Sequence, residues 1–322
     1  ESNESILLHA LGSLRNVITS VGNMDSDCTM IARQLIENQG VCNFAQLLQG
    51  ENNAHHLLML QGRVDSSQLK VYLFAQVCRM CGLAGDTKNG SRWLTNLNAR
   101  NVLRAIWSLQ QILAVEAQTV YWNFIGERAR MVSMEIVNQE DVALARLLCL
   151  TRTLEKSGLP EIENAWRELC DRDRAALTEC LIVDGIDSKA FVFVGLPLYL
   201  GSAQANPMVG LQEALRGLVQ VLRKLEAQRF LSLASGRIVN VNLESLASIV
   251  PQVDSGRTLM RCLAVSHIVQ KQGTVTVVMT SDSWHVLTGK LLQRPQDWSA
   301  DMLEQVQEQQ LKLETKIKAA RQ

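Results

Sequence analysis

Apolar residues recur along this chain at steps of three and four, the spacing that lines one face of an α-helix. Positions 7, 8, 11, 14, 17, 18 and 21 predict a first helix over 5–21, with Ser5 able to cap its amino end. A second, over 25–38, carries Met30, Ile31, Leu35 and Ile36 and is expected to stop at Gly40 in a left-handed conformation. Two shorter helices follow over 41–48 and 54–60, and Gly50-Glu51-Asn52-Asn53 between them reads as a plain turn. Over 67–83, Leu69, Leu73, Phe74, Val77, Cys78 and Cys81 share one side of a stronger helix. The polar stretch 85–92 (GDTKNGSR) is a loop suited to a domain boundary.

Residues 98–174 then read as two successive helical hairpins. Displacing the first by 41 residues sets Leu103 on Leu144, Ile106 on Leu147, Trp107 on Leu148 and Leu113 on Leu154. On the second helices, Tyr121 meets Ile162 and Ile125 meets Trp166, whereas Val120 against Glu161 breaks the match. Self-similarity at such a period marks stacked helix pairs. Trp107 and Trp166 are therefore expected to be at least partly buried between neighbouring hairpins.

Further helices are predicted over 175–183, 209–230, 243–250 and 257–270. Residues 190–201 (AFVFVGLPLYLG) suit either a buried strand or a short buried helix broken at Gly195. Residues 274–280 (TVTVVMT) make the best strand candidate, with buried helix as the alternative and no evident pairing partner. Over 301–321, Leu303, Val306, Gln310, Leu313 and Ile317 form a heptad-like seam with one polar position. This amphipathic helix is a candidate for binding another protein through those five residues, or for capping the last hairpin. The expected fold is thus all-α or nearly so, an α-solenoid or irregular helical-repeat array with a carboxy-terminal amphipathic helix. It divides into an amino-terminal bundle (1–85), a repeat region (86–298) and a docking helix (299–322).

Composition sharpens this picture. Only five prolines occur in 322 residues, which favours long helices over a turn-rich β fold. Lys plus Arg equals Asp plus Glu at 32 each, so no global field draws the chain to nucleic acid or anionic lipid. No run approaches the ~18 consecutive apolar residues of a membrane helix. Eight cysteines are scattered, mostly on apolar faces, as expected of reduced cysteine in a core. The first residue is Glu rather than Met, consistent with a removed targeting peptide, a trimmed chain or disordered preceding residues.

Candidate chemistry is sparse. Cys78-Arg-Met-Cys81 lacks the second pair or nearby histidines of a zinc site and the βαβ setting of a redox site, so core packing is the expected role. His55 and His56 diverge on a helix and make a poor ligand pair. No P-loop, dinucleotide fingerprint or nucleophile elbow is present. Neither enzymatic activity nor a cofactor is expected; the alternative is a helical enzyme whose site forms no local motif. Residues 87–158 carry nine Lys/Arg against six acids. Arg104 and Arg146 fall on comparable turns of the two first helices. Arg100, Arg104, Arg128, Arg130, Arg146 and Arg152 are accordingly candidate RNA contacts through phosphates, against the alternative of a solvated helix face.

The phrases NVLRAIWSLQQIL and ALARLLCLTRTLEKSGLPE resemble the helix-pair repeats of organellar RNA-metabolism proteins, the octotricopeptide and FASTK-like class. That resemblance implies a scaffold subunit of a ribonucleoprotein in the mitochondrial matrix, with protein subunits and RNA as partners. The alternatives are a protein-only scaffold and a cytoplasmic location. The balanced net charge favours scaffolding over direct RNA affinity.

Overall fold

The computed structural model of the protein describes residues 3–13, 22–82, 85–86, 90–91, 95–271 and 274–278. Over these the chain is mostly helical, with a small four-stranded sheet. It divides into two compact units. The first comprises Glu1–Cys149, Thr153–Ser157 and Asp184–Ile186; the second comprises Leu150–Arg152, Gly158–Val183 and Asp187–Gln322. The polar stretch 85–92, expected to be a boundary, lies inside the first unit, where β1 (Gly85–Asp86) pairs antiparallel with β2 (Gly90–Ser91). A polar composition favours a turn, and a turn need not separate two cores. The docking seam predicted over 301–321 lies outside the described residues.

Local rules set the helices of the first unit. Helix Ser26–Val41 begins at Asp25, whose carboxylate accepts from Cys28 N–H at 2.7 Å. It runs through Gly40 and ends at Cys42; the left-handed glycine expected at its end is absent, because Cys42 N–H bonds Asn38 O in an extended conformation. Helix Ser66–Gly82 begins with a capping box. Asp65 accepts from the N–H groups of Ser67 and Gln68, and Gln68 Oε1 accepts from Asp65 N–H at 3.0 Å. Thr95 caps helix Asn96–Leu109 in the simpler way. That helix packs on Ala117–Met131, which in turn lies against Ala54–Gln61.

The turn expected at 50–53 is real, but it is buried. Glu51, Asn52 and Asn53 are all enclosed, so their backbone groups must find partners inside the protein. Arg146 Nε donates to Gly50 O at 3.0 Å, and Tyr121 OH donates to Asn52 O at 2.9 Å. Asn52 Nδ2 reaches Asn43 O at 2.9 Å, while Tyr72 OH donates to Cys42 O at 2.6 Å. Gly50 sits at φ +70°, and a Cβ there would stand 2.8 Å from Cys149 Cβ and 3.3 Å from Arg146 O.

The second unit is not a continuation of helix pairs. β3 (Ala190–Val194) pairs in parallel with β4 (Ile238–Asn242), β4 pairs in parallel with β6 (Thr274–Val278), and β5 (His267–Lys271) closes the edge antiparallel to β6. Residues 190–194 are thus strand and Leu196–Ala205 is helix, so both alternatives for that stretch hold in sequence. Residues 274–278 are strand as well, and their partners are two strands that the helical expectation passed over. β4 had a signal in its alternation IVNVN, in which Val239 and Val241 are buried. The helix expected over 257–270 stops at Val265, after which Ile268 and Val269 pair with Val277 and Thr276.

Helix Gly210–Ala227 is the axis of this unit, burying Leu211, Leu215, Leu218, Leu222 and Leu225 on one stripe. Gly217 lets two neighbours approach, since a Cβ there would meet Tyr199 OH at 2.5 Å and Leu263 Cδ1 at 2.9 Å. Lys224 Nζ donates to Leu263 O, Ala264 O and Ser266 O, holding the last turn of helix Gly256–Val265. Partial burial lowers the pKa of this ammonium.

Replacing Gly50 with Ala combines an unfavourable positive φ with contact against immobile backbone. It is expected to lower stability by about 1–3 kcal/mol, read as a fall in the urea midpoint. An unchanged midpoint would mean that the buried loop is free to relax.

Candidate functional site

The hairpin of Asn96–Leu109 and Ala117–Met131 carries the residues for which the sequence suggests function. Its first helix turns Val102, Ala105 and Leu109 inward. The bulkier Leu103 and Trp107 face outward, one turn apart, at 62 % and 66 % exposure. The expectation of a part-buried Trp107 is therefore corrected, whereas Trp166 is buried at 3 %. The inward stripe of Val102, Ala105 and Leu109 is thus displaced from the one that the largest side chains suggest.

The six candidate arginines do not form one surface row. Arg128 and Arg146 are 1 % and 4 % exposed, which removes them from any phosphate-facing surface. Arg128 Nη2 donates to Thr153 O at 3.0 Å and its Nη1 approaches Met131 Sδ at 3.4 Å. Arg146 serves the buried loop through Gly50 O. Arg104 Nη1 lies 2.5 Å from Glu127 Oε2, and Arg130 pairs with the other oxygen of the same carboxylate. Arg100 is exposed. Arg152 belongs to the second unit, where it is exposed at φ +55° beside a cavity of about 570 Å³ lined by Pro197, Leu198, Asn206 and Pro251. Arg104 and Arg146 lie on comparable turns but 42 residues apart, so the 41-residue displacement sets Arg146 on the inward-facing Ala105, and it is buried as that position is.

The partner-binding candidates Leu303, Val306, Gln310, Leu313 and Ile317 lie outside the described residues. Cys78 and Cys81, expected in the core, are exposed on helix Ser66–Gly82, together with Phe74. Cys42, Cys149 and Cys262 are the buried ones, and burial raises each thiol pKa, Cys42 and Cys262 to about 12. Among the described residues no cluster of three or more His, Cys, Asp or Glu side chains is placed to hold a metal ion, and no helix is long and apolar enough to cross a membrane.

Residues 2–255 match the Family of unknown function (DUF6829). The chain belongs to that family. No curated protein and no solved structure matches it. The DUF6829 match takes in the first unit, β3, β4 and their helices, and ends at Ser255, the residue whose hydroxyl caps helix Gly256–Val265.

One titratable group in this DUF6829 chain sits against the buried loop. His56 Nδ1 lies 2.8 Å from Asn53 Oδ1, and its ring meets His55 edge-on. Burial disfavours the imidazolium, and the charges of His55 and Arg146 add to that effect, pushing the pKa from 6.5 down to about 4. The unfolded chain then takes up a proton that the folded chain refuses. This contribution to stability is complete above pH 6.5 and is lost as the pH falls towards 4. Between pH 7 and about 5 the urea midpoint should fall, and it should fall less in His56→Gln; equal slopes would remove His56 as the cause.

Proposed function

We propose that the protein is a non-catalytic scaffold whose first unit docks another protein through the outward face of helix Asn96–Leu109. The observation that carries this reading is the pair Leu103 and Trp107, largely exposed and one turn apart, on a helix already packed on its opposite side. Tryptophan in such a position anchors interfaces out of proportion to its number, and two anchors one turn apart suit a helix-in-groove contact. The partner surface is apolar with acidic flanks: Arg100 is exposed beside the pair, and Glu127 offsets only one of the charges of Arg104 and Arg130.

The finer setting, a helical-repeat subunit of a ribonucleoprotein for mitochondrial RNA processing or translation, rests on the resemblance of residues 98–174 to organellar repeat proteins. Within it the protein-only role has more support than RNA contact. Arg128 and Arg146 are enclosed, and Arg104 and Arg130 are engaged by Glu127. Direct RNA contact falls to the arginines that are not buried, Arg100, Arg104, Arg130 and Arg152.

A photo-crosslinking phenylalanine analogue in place of Trp107 tests the proposal in the full chain. The expected outcome is a crosslink to one protein, at a segment of apolar and acidic residues. That crosslinked partner should be lost from Leu103→Asp/Trp107→Asp, while the melting temperature is unchanged. Crosslinks to RNA alone, or full retention of the partner by the double variant, would overturn the docking face.

A further inference from the structure

Helices Asn3–Ser13, Ser26–Val41 and Ser66–Gly82 surround a cavity of about 550 Å³ in the first unit. The volume falls within the range of about 300–1,000 Å³ that small-molecule sites occupy. Ile6, Leu7, Leu35, Ile36 and Ala75 give it an apolar wall. Its polar groups include Gln39, Gln76 and Arg79, and two of these stand out. Gln76 is 4 % exposed, and its Oε1 has no hydrogen-bond partner among the described residues. Gln39 Nε2 is likewise buried without one. A buried amide that has given up water and gained nothing is destabilising, and folded proteins carry few of them. An acceptor facing Gln39 and a donor facing Gln76 would satisfy both. Arg79, exposed and lining the same cavity, adds a guanidinium suited to a carboxylate.

We infer that this cavity binds an N-acylated amino acid unit: an apolar chain joined through an amide to a free carboxylate. The acyl chain lies along Ile6, Leu7, Leu35 and Ile36. The amide carbonyl accepts from Gln39 Nε2, the amide N–H donates to Gln76 Oε1, and the carboxylate pairs with Arg79. A simple fatty acid ionised at neutral pH offers Gln76 no donor, and an uncharged apolar molecule leaves both amides unpaired. The same unit occurs free, as an acyl amino acid, and at the carboxy terminus of an apolar peptide. This inference stands apart from the docking face and does not depend on it.

Calorimetric titration of the full chain with N-lauroylglycine, and with acetyl-Leu-Leu-Gly as the free acid, distinguishes the two sources; saturable binding of either supports the site, and the tighter one names its origin. Laurate and the methyl ester of lauroylglycine should each bind at least about tenfold more weakly. Arg79→Ala and Gln76→Leu should each weaken the preferred probe by a similar factor. Because Gln76→Leu removes an orphaned buried acceptor, it should also raise the urea midpoint of the unliganded protein. No binding of either probe up to about 1 mM, laurate binding as tightly as lauroylglycine, or probe affinity unchanged in both variants would each overturn the assignment.

Discussion

The first unit depends on the enclosure of a polar loop, Gly50–Asn53, in its core. A buried backbone carbonyl without a partner is strongly destabilising, and here the partners come from far along the chain. Arg146 takes Gly50 O and Tyr121 takes Asn52 O, over sequence separations of 96 and 69 residues. Helices Ala117–Met131 and Gln139–Leu150 are thereby tied to one point. Gly50 completes the arrangement, since its positive φ and the closeness of Cys149 leave no room for a larger residue.

That constraint governs what the arginines can do. A guanidinium holds its charge at any physiological pH, so a buried one must be surrounded by acceptors. Backbone carbonyls supply part of this for both Arg128 and Arg146, through Thr153 O and Gly50 O, while Arg128 Nε is buried without a hydrogen-bond partner among the described residues. Their charge also acts on the neighbourhood: Arg146 helps to keep His56 neutral and opposes the rise of the buried Tyr121 hydroxyl pKa. Basic residues that could face a polyanion are instead part of the interior, and the outward face of the hairpin is left to Leu103 and Trp107.

The second unit solves a different problem by related means. Its parallel strands need crossover connections, which helices supply. Asn206 bridges the carbonyls of Val250 and Val253 at 2.8 and 2.9 Å, so the start of one crossover is fastened to the end of a later helix. Lys224 closes the carbonyl end of Gly256–Val265 in the same manner. In both units long polar side chains satisfy backbone groups that secondary structure leaves open.

Much of the helical content was legible in the chain, because helix formation is local. The period of apolar residues and the capping groups at Asp25, Asp65, Thr95 and Ser255 act within a few residues of each other. What the tertiary structure alone decided was which side of each element faces inward and which distant segments pair. Leu103 and Trp107 are larger and more apolar than Ala105, yet Ala105 is the one turned inward. β4 finds its hydrogen-bonding partners only across the fold, whereas β6 pairs with β5 immediately before it in the chain and with the distant β4, so a strand such as 274–278 read without its neighbours is ambiguous. The roles of Gly50, Gln39, Gln76 and Arg146 likewise depend on atoms brought from other helices, and no local pattern of residues encodes such a meeting.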